Sequence, residues 1–247
     1  IWQLFVKATE EREQEWITGT RDYFRRQRDS VLAKLRGDGA RDVTVRAIDD
    51  VARKPFDEVV WGKRLRALAK PLLTSTLLEA ARSTTDDLGV DTAFNVKNPL
   101  VVRWLERRTQ RFATEVNDTT WRALKASLAE GIDAGESIPT MEQRVRKVFS
   151  TASEQRATMI ARTEVVGASN AGSIEAADQS GVVETKRWIS ALDERTRDTH
   201  RVAHGQVVGL RENFSVGGVR GPAPGQIGSA AEDIMCRCTV VFGLKAE

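Results

Sequence analysis

The stretch DERTRDTHRVAHG, residues 193–205, contains both histidines of the chain, His200 and His204, among charges of alternating sign. A helical period runs only from about Thr196 to His204 and Gly205 ends it, so the segment reads as a short helix within a polar connection. The flanking sequence has the other period. Val182 to Ile189 and Arg237 to Phe242 are rich in β-branched and aromatic residues, and each reads as a strand. Between the histidines and the second strand lie turn-rich sequence from Gly205 to Gly228 and a helical turn at Ala230–Met235. Ten of the 18 glycines fall in residues 1–186 and eight in the last 61, so the architecture changes near residue 182.

Upstream of that change the sequence is helical. Leu4, Phe5, Ala8, Trp16, Ile17, Phe24, Val31, Leu32 and Leu35 recur at helical spacing from Ile1 to Leu35, and Gly37-Asp38-Gly39 stops the run. Val43–Val51 is β-branched and reads equally as helix or strand. Phe56 to Asp87 predicts a second long helix that Pro71 kinks or breaks. Asn98-Pro99, an N-cap before proline, starts a helix to about Val116, and Asn117 or Asp118 caps the next, which ends near Gly131–Gly135. Thr140-Met-Glu-Gln143 and Thr151-Ala-Ser-Glu154 are capping boxes, and the second opens a helix to about Ser180. Its stripe of Ala157, Ile160, Ala161, Ala168, Ala171, Ile174 and Ala177 permits close packing and predicts the innermost helix; Gly181 ends it. The expected fold is a mainly α N-terminal helical region, residues 1–114, followed by a small loop-rich α+β C-terminal module. That module spans residues 115–247, with helices to 181 and α+β structure from 182.

Composition excludes several classes. Charged residues are 30% and hydrophobic residues 40% of the chain, an ordinary soluble balance. With 38 basic and 35 acidic side chains the formal charge is only +3, interleaved along the chain, which argues against a dedicated nucleic-acid binder. No apolar run approaches a membrane span, and no signal-peptide pattern opens the sequence. The two cysteines, in Cys236-Arg237-Cys238, would close almost no loop as a disulfide, so a reducing compartment during folding is expected. Ile1 in place of an initiator Met points to a chain trimmed, processed or cut from a longer polypeptide.

Three chemistries compete at residues 193–238. His200, His204, Cys236 and Cys238 offer two nitrogens and two sulfurs, a tetrahedral zinc set, although Cys-x-Cys is tighter than the usual spacing. Against it stands a reading in which each polar group finds a neighbour and the cysteines pack as small apolar groups, and the expected cofactor is none. A thiol nucleophile is disfavoured because both cysteines fall at the entrance to an apolar strand rather than at a helix start or in an electropositive cleft. A hydrolase using His200 with a nearby carboxylate finds no spacing that singles out an acid–base pair, and no GxGxxG, Walker, GxSxG or HExxH pattern occurs. What remains is a structural network of Asp193, Arg195, Arg197, His200, Glu232 and Arg237, anchored on Trp188, that fixes loops with little apolar surface. On the helical region, Arg103, Arg107, Arg108 and Arg111 recur at helical spacing and are candidates for DNA contact.

Ala161-Arg162-Thr-Glu164, Asn170, Lys186-x-Trp188, Asp193-x-Arg195-Thr-Arg197-x-x-His200, Gly205, Pro224-Gly225, Glu232 and Cys236-Arg237-Cys238 occur in an order that resembles a known pattern. It is that of the Mu F-like, SPP1 gp7-type minor head (head morphogenesis) proteins of bacteriophages. The resemblance covers roughly residues 115–243. It implies a non-enzymatic, few-copy component of the virion at the portal vertex in the head interior, made in the bacterial host cytoplasm. Such a protein acts in head morphogenesis and in DNA packaging or ejection. The implied partners are the portal protein, packaged DNA and capsid or scaffold proteins, with no membrane, and residues 1–114 would supply a portal-contacting or linking segment. His204 falls at a variable position of the pattern. Some relatives carry toxin domains after this module or are fused to portal proteins, and with nine residues after Cys238 no toxin domain is expected here.

Overall fold

The computed structural model of the chain describes residues 2–37, 58–153 and 155–245; the Val43–Val51 segment lies outside them. Helices α1 (Trp2–Gly37), α2 (Glu58–Leu88), α3 (Pro99–Asp133), α4 (Ile138–Ser153) and α5 (Gln155–Ser180) come first. They are followed by β1 (Val183–Ile189), α6 (Asp198–Ala203), β2 (Val207–Gly209), β3 (Phe214–Val216), β4 (Val219–Gly221), α7 (Ala230–Asp233) and β5 (Thr239–Leu244). The fold is therefore helical first and then a small α+β module, as the glycine distribution and the change of period imply.

Five local expectations meet different outcomes. Asn98 caps α3 through its Oδ1, which accepts the Leu100 N–H at 2.9 Å, with Pro99 in the first turn. Asn117 caps nothing: α3 runs on to Asp133, and the buried Asn117 Oδ1 accepts the Tyr23 hydroxyl at 2.6 Å. A tertiary partner satisfies the side chain that would otherwise compete with the backbone. Pro71 lies inside α2 without ending it, at the loss of one intrahelical hydrogen bond. Helix α4 begins at Ile138, ahead of the Thr140 box, and the Thr140 hydroxyl meets that of Ser137 at 3.0 Å. Thr151–Ser153 belong to α4, and the side chains of the second box lie outside the described residues.

The chain divides into two compact units, each discontinuous in sequence. One comprises Ile17–Lys70 and Glu106–Ala157. Its core includes Phe24, Val31, Trp61, Leu65, Leu124, Val145 and Phe149. Within it Arg156 donates to Thr120 Oγ1 and the Val116 carbonyl, and its guanidinium stands 5.1 Å from the Phe24 ring centre. Arg144 grips Glu136 with two bonds of 2.6 and 2.8 Å.

The other unit comprises Ile1–Trp16, Pro71–Leu105 and Thr158–Glu247, and it contains every strand among the described residues. β1 is the central strand of an antiparallel sheet of order β2-β1-β5, while β3 and β4 form a separate hairpin. The segment from Gly205 to Gly228 thus holds three short strands in what its composition presents as turns. Three residues each are too few to show a period of two above the glycines that bound them. α5 lies in the interior: Ala161, Ala168, Ala171 and Ala177 are at most 4% exposed. The apolar core joins Val166, Ile174 and Ala177 of α5 to Val183 and Trp188 of β1, Phe214 and Val216 of β3, and Cys236, Cys238 and Val240.

Candidate functional site

Alternation along β1 builds the floor of the site. Lys186, Trp188 and Ser190 point to one side and are all buried. Trp188 meets the His200 ring edge-on at 5.5 Å and the Phe214 ring at 5.3 Å, and its Nε1 donates to Ser190 Oγ at 3.0 Å. Ser190 Oγ donates onward to the His200 carbonyl at 2.6 Å. The strand thereby fixes α6, which carries His200. At the end of α6 the chain turns back through Gly205, whose φ of +81° suits glycine, and Gly205 and Gln206 pair with the Trp188 backbone.

His200 is held from both ring nitrogens. Nε2 lies 3.0 Å from Glu232 Oε2, and the same oxygen accepts the Thr199 hydroxyl at 2.8 Å. Nδ1 lies 3.3 Å from Cys238 Sγ and 3.8 Å from Cys236 Sγ. His200, Cys236 and Cys238 are each at most 2% exposed, and Glu232 is 7% exposed. The two thiols are free and share one environment. A hydrogen bond from the Cys236 thiol pulls Cys238 well below the usual thiol range against the effect of burial. Cys236 is pushed up in turn, because it keeps the proton it shares with Cys238 and is buried.

The expected charge network resolves into two. Arg237 holds Asp193 in a fork of two 2.5 Å bonds, which keeps that carboxyl well below its ordinary range. Thr196 Oγ1 and the Arg195 backbone N–H also donate to Asp193 Oδ1, so Arg195 joins through its main chain. Arg197 donates to the Ile234 carbonyl at 2.5 Å. His200 and Glu232 form the other network with the thiols. His204 stands apart from both: it is exposed, and its Nδ1 accepts the Ser190 N–H at 3.1 Å. Arg162 pairs with Glu13 of α1 at 2.8 Å, and Glu164 is buried on α5. Of the basic positions on α3, Arg103, Arg107 and Arg111 are exposed, whereas Arg108 is buried and leaves that face.

Asn170, part of the motif but without an assigned role, is fully buried on α5. Its Nδ2 reaches the Pro224 and Cys238 carbonyls at 3.2 and 3.1 Å, while its Oδ1 accepts the Thr239 hydroxyl. Asp233, in the sequence only one of several carboxylates open to a hydrolase, has a structural role instead: it accepts the Ile227 and Gly228 amides at 2.7 and 2.8 Å and closes the loop ahead of α7. Ser190 was missed, although it continues the two-residue period of Lys186 and Trp188.

Lys186 gives a pH test of this interior. Its Nζ donates to the Pro222 carbonyl at 2.7 Å above the Phe214 ring, and burial, with Arg211, lowers its pKa to about 8. The unfolded chain, with an ordinary lysine near 10.5, binds more protons between those values. Folding stability therefore rises with pH from about 8 to about 10.5, by up to about 3 kcal/mol. Urea midpoints across that range should rise in the parent relative to Lys186→Met; parallel profiles would show that the lysine is not desolvated.

The arrangement looks like a Cys–His–carboxylate relay, but its thiols and imidazole lie in the core. A cleft of about 500 Å³ in this unit is lined by α1, α2, α5 and β5 residues, and none of the four relay groups faces it. Buried cysteines of this kind are structural or metal-binding rather than nucleophilic. Among the described residues no helix is long and apolar enough to cross a membrane.

Residues 122–241 match the family described as Phage Mu protein F like protein, a span that contains the whole framework from Trp188 to Cys238. The chain is 34% identical over 155 residues to Minor head protein GP7 of Bacillus phage SPP1, which covers 62% of this chain and 49% of that protein. It is 28% identical over 155 residues to NAD(+)--arginine ADP-ribosyltransferase EFV of Enterococcus faecalis, covering 62% of this chain and 31% of that one. It is 26% identical over 210 residues to the uncharacterized protein YqbB of Bacillus subtilis, covering 83% and 68%. The chain thus spans about half the length of the phage relative and about a third of the transferase. No solved structure matches it significantly. The match takes in both charge networks, both thiols and their strand, so residues 122–241 are similar to the Phage Mu protein F like family over the part of the chain that holds this framework.

Proposed function

We propose that the chain is a phage minor head protein: a non-enzymatic component of the virion that serves head morphogenesis and DNA packaging or ejection. It is held at the portal vertex, inside the head, in few copies. The observation that carries this reading is the 34% identity over 155 residues to a protein named as a minor head protein. The buried relay fits it, since groups closed inside a core hold loops in place. The transferase named among the relatives fits as well: the likeness takes in only 31% of that protein, as expected of one module joined to different partners. The portal protein is the proposed direct partner, with capsid or scaffold proteins and packaged DNA as further neighbours. DNA contact through Arg103, Arg107 and Arg111 would be weak, non-specific and lost at moderate salt, since few phosphates are neutralised.

Heads purified at successive stages from producing cells test this reading. Quantitative mass spectrometry should find the chain at a small fraction of the major capsid protein, with crosslinks to the portal. Phage lacking it should form shells yet yield few infectious particles. Absence from heads at every stage, or an even spread over the shell in hundreds of copies, would refute the assignment.

A further inference from the structure

We propose that His200 Nδ1, Cys236 Sγ and Cys238 Sγ form a binding site for one zinc-class metal ion, with Glu232 as the carboxylate that orients the imidazole. The three atoms lie within 4.8 Å of one another, in a buried group. Metal–sulfur and metal–nitrogen bonds of zinc at the tetrahedral angle place a nitrogen and a sulfur about 3.6 Å apart. The two observed separations, 3.3 and 3.8 Å, bracket that edge.

The ring nitrogen that faces the thiols has two sulfurs within reach. Glu232, as a carboxylate, only accepts, so the 3.0 Å contact puts a ring proton on Nε2, and the neutral ring in that tautomer presents the Nδ1 lone pair as a ligand. Two sulfurs face that one nitrogen, and a single hydrogen bond at Nδ1 joins it to only one of them. A cation satisfies all three donors together. Glu232 is itself fixed by Thr199, the arrangement in which an outer carboxylate sets the tautomer and basicity of a ligating histidine. The Cys238 backbone N–H points to Cys236 Sγ at 3.5 Å, as amides do toward thiolate ligands. Arg237 turns away from the sulfurs to Asp193.

The backbone supplies a second observation. Met235, the residue before Cys236, has a φ of +58°, a left-handed conformation that a methionine adopts only under constraint. Its N–H is held by Thr163 Oγ1 of α5 at 3.0 Å. The kink sets the Cys-Arg-Cys segment so that both cysteines, two residues apart, turn toward one histidine. Three protein ligands leave the fourth position to an oxygen, either water or Ser190 Oγ, which lies 3.7 Å from Cys238 Sγ. On binding, the thiols lose their protons to solvent and the imidazole stays neutral, with its proton on Nε2.

The test is a titration of the whole 247-residue chain, reduced, free of tag histidines and stripped by chelator. Cobalt(II) should bind at one ion per chain with thiolate-to-cobalt charge-transfer absorption, be displaced by zinc(II), and raise the thermal midpoint. Glu232→Gln should weaken cobalt affinity by about 10–100-fold. His204→Ala should leave it unchanged, because that ring serves the Ser190 amide. Cys236→Ser and Cys238→Ser should each abolish the charge-transfer band. If either serine variant fails to fold, the parent titration decides alone: a folded, reduced parent that develops no thiolate–cobalt band overturns the site. So does binding that persists in a folded variant lacking both thiols.

Discussion

Gly172→Ala destabilises the protein by about 3 kcal/mol or more, in the upper range of overpacking effects. In an exposed helix the same change would stabilise by about 1 kcal/mol, because alanine is the better helix former. The sign reverses here because a Cβ at residue 172 would lie 2.2 Å from the Leu77 carbonyl oxygen and 2.9 Å from its carbon. Those are main-chain atoms of α2, so no rotamer change relieves the clash, and α5 and α2 must move apart. Leu73, Leu77, Ala168 and Ala171, all essentially buried, would lose contacts with that movement. Gly62→Ala is the internal control. It also sits in a helix, and its Cβ would meet only side-chain ends, the Arg66 guanidinium of the next turn at 3.4 Å and Asn117 Nδ2 at 3.7 Å, so the change should be neutral or slightly stabilising. Urea midpoints of the two variants against the parent decide the matter. Equal stability of Gly172→Ala and parent would show that the helices are not in backbone contact.

Gly172 also shows what a sequence displays and what it conceals. The small-residue stripe of α5 is legible as a pattern, and it marks the interior helix correctly because a period of 3.6 survives in one dimension. Which member of the stripe touches a neighbouring backbone depends on where α2 crosses, and no local signal encodes that. Asn117 fails for the same reason. As a capping residue its identity was ambiguous, and the Tyr23 hydroxyl, 94 positions away, decided for a helix interior. Asn98 succeeded because its partner is its own backbone two residues on. Local chemistry was legible; long-range partners were not.

The site follows the same division. Trp188 and Lys186 were visible on an alternating strand, and Cys236 and Cys238 at the entrance to another. The pairing of His200 rather than His204 with the thiols was not. Spacing four apart on a six-residue helix suggests one shared face, yet His204 sits just past the end of α6, beside the Gly205 turn, where its ring swings to the Ser190 amide. The supposed single charge network splits because Arg237 and Glu232, five residues apart, project from opposite sides of the kink at Met235. A positive φ on a methionine leaves no trace in composition.

Trp188→Ala costs about 3–5 kcal/mol, the range for truncating a fully buried aromatic. The loss has three parts. The indole is 0% exposed and contacts both His200 and Phe214 at edge-to-face geometry, so a cavity opens between β1, α6 and β3. The Ser190 hydroxyl loses its donor while still bonded to the His200 carbonyl. His200 then lacks the wall that fixes its ring plane relative to Glu232 and the thiols. Trp188→Phe separates these contributions, because it keeps much of the ring packing and removes the indole N–H. It should cost about 1–3 kcal/mol, most of it from the unsatisfied polar group. Hydrogen exchange locates the effect: amides of β1 and β5, the central strand and its neighbour, should lose protection in Trp188→Ala, while those of α3 from Glu106 onward and of α4, in the other compact unit, change less. A Trp188→Ala variant within about 1 kcal/mol of the parent, small on the scale of buried aromatic truncations, would mean that the strand-borne tryptophan does not anchor the framework. The shared motif would then have to be explained by the ligand set on His200 alone.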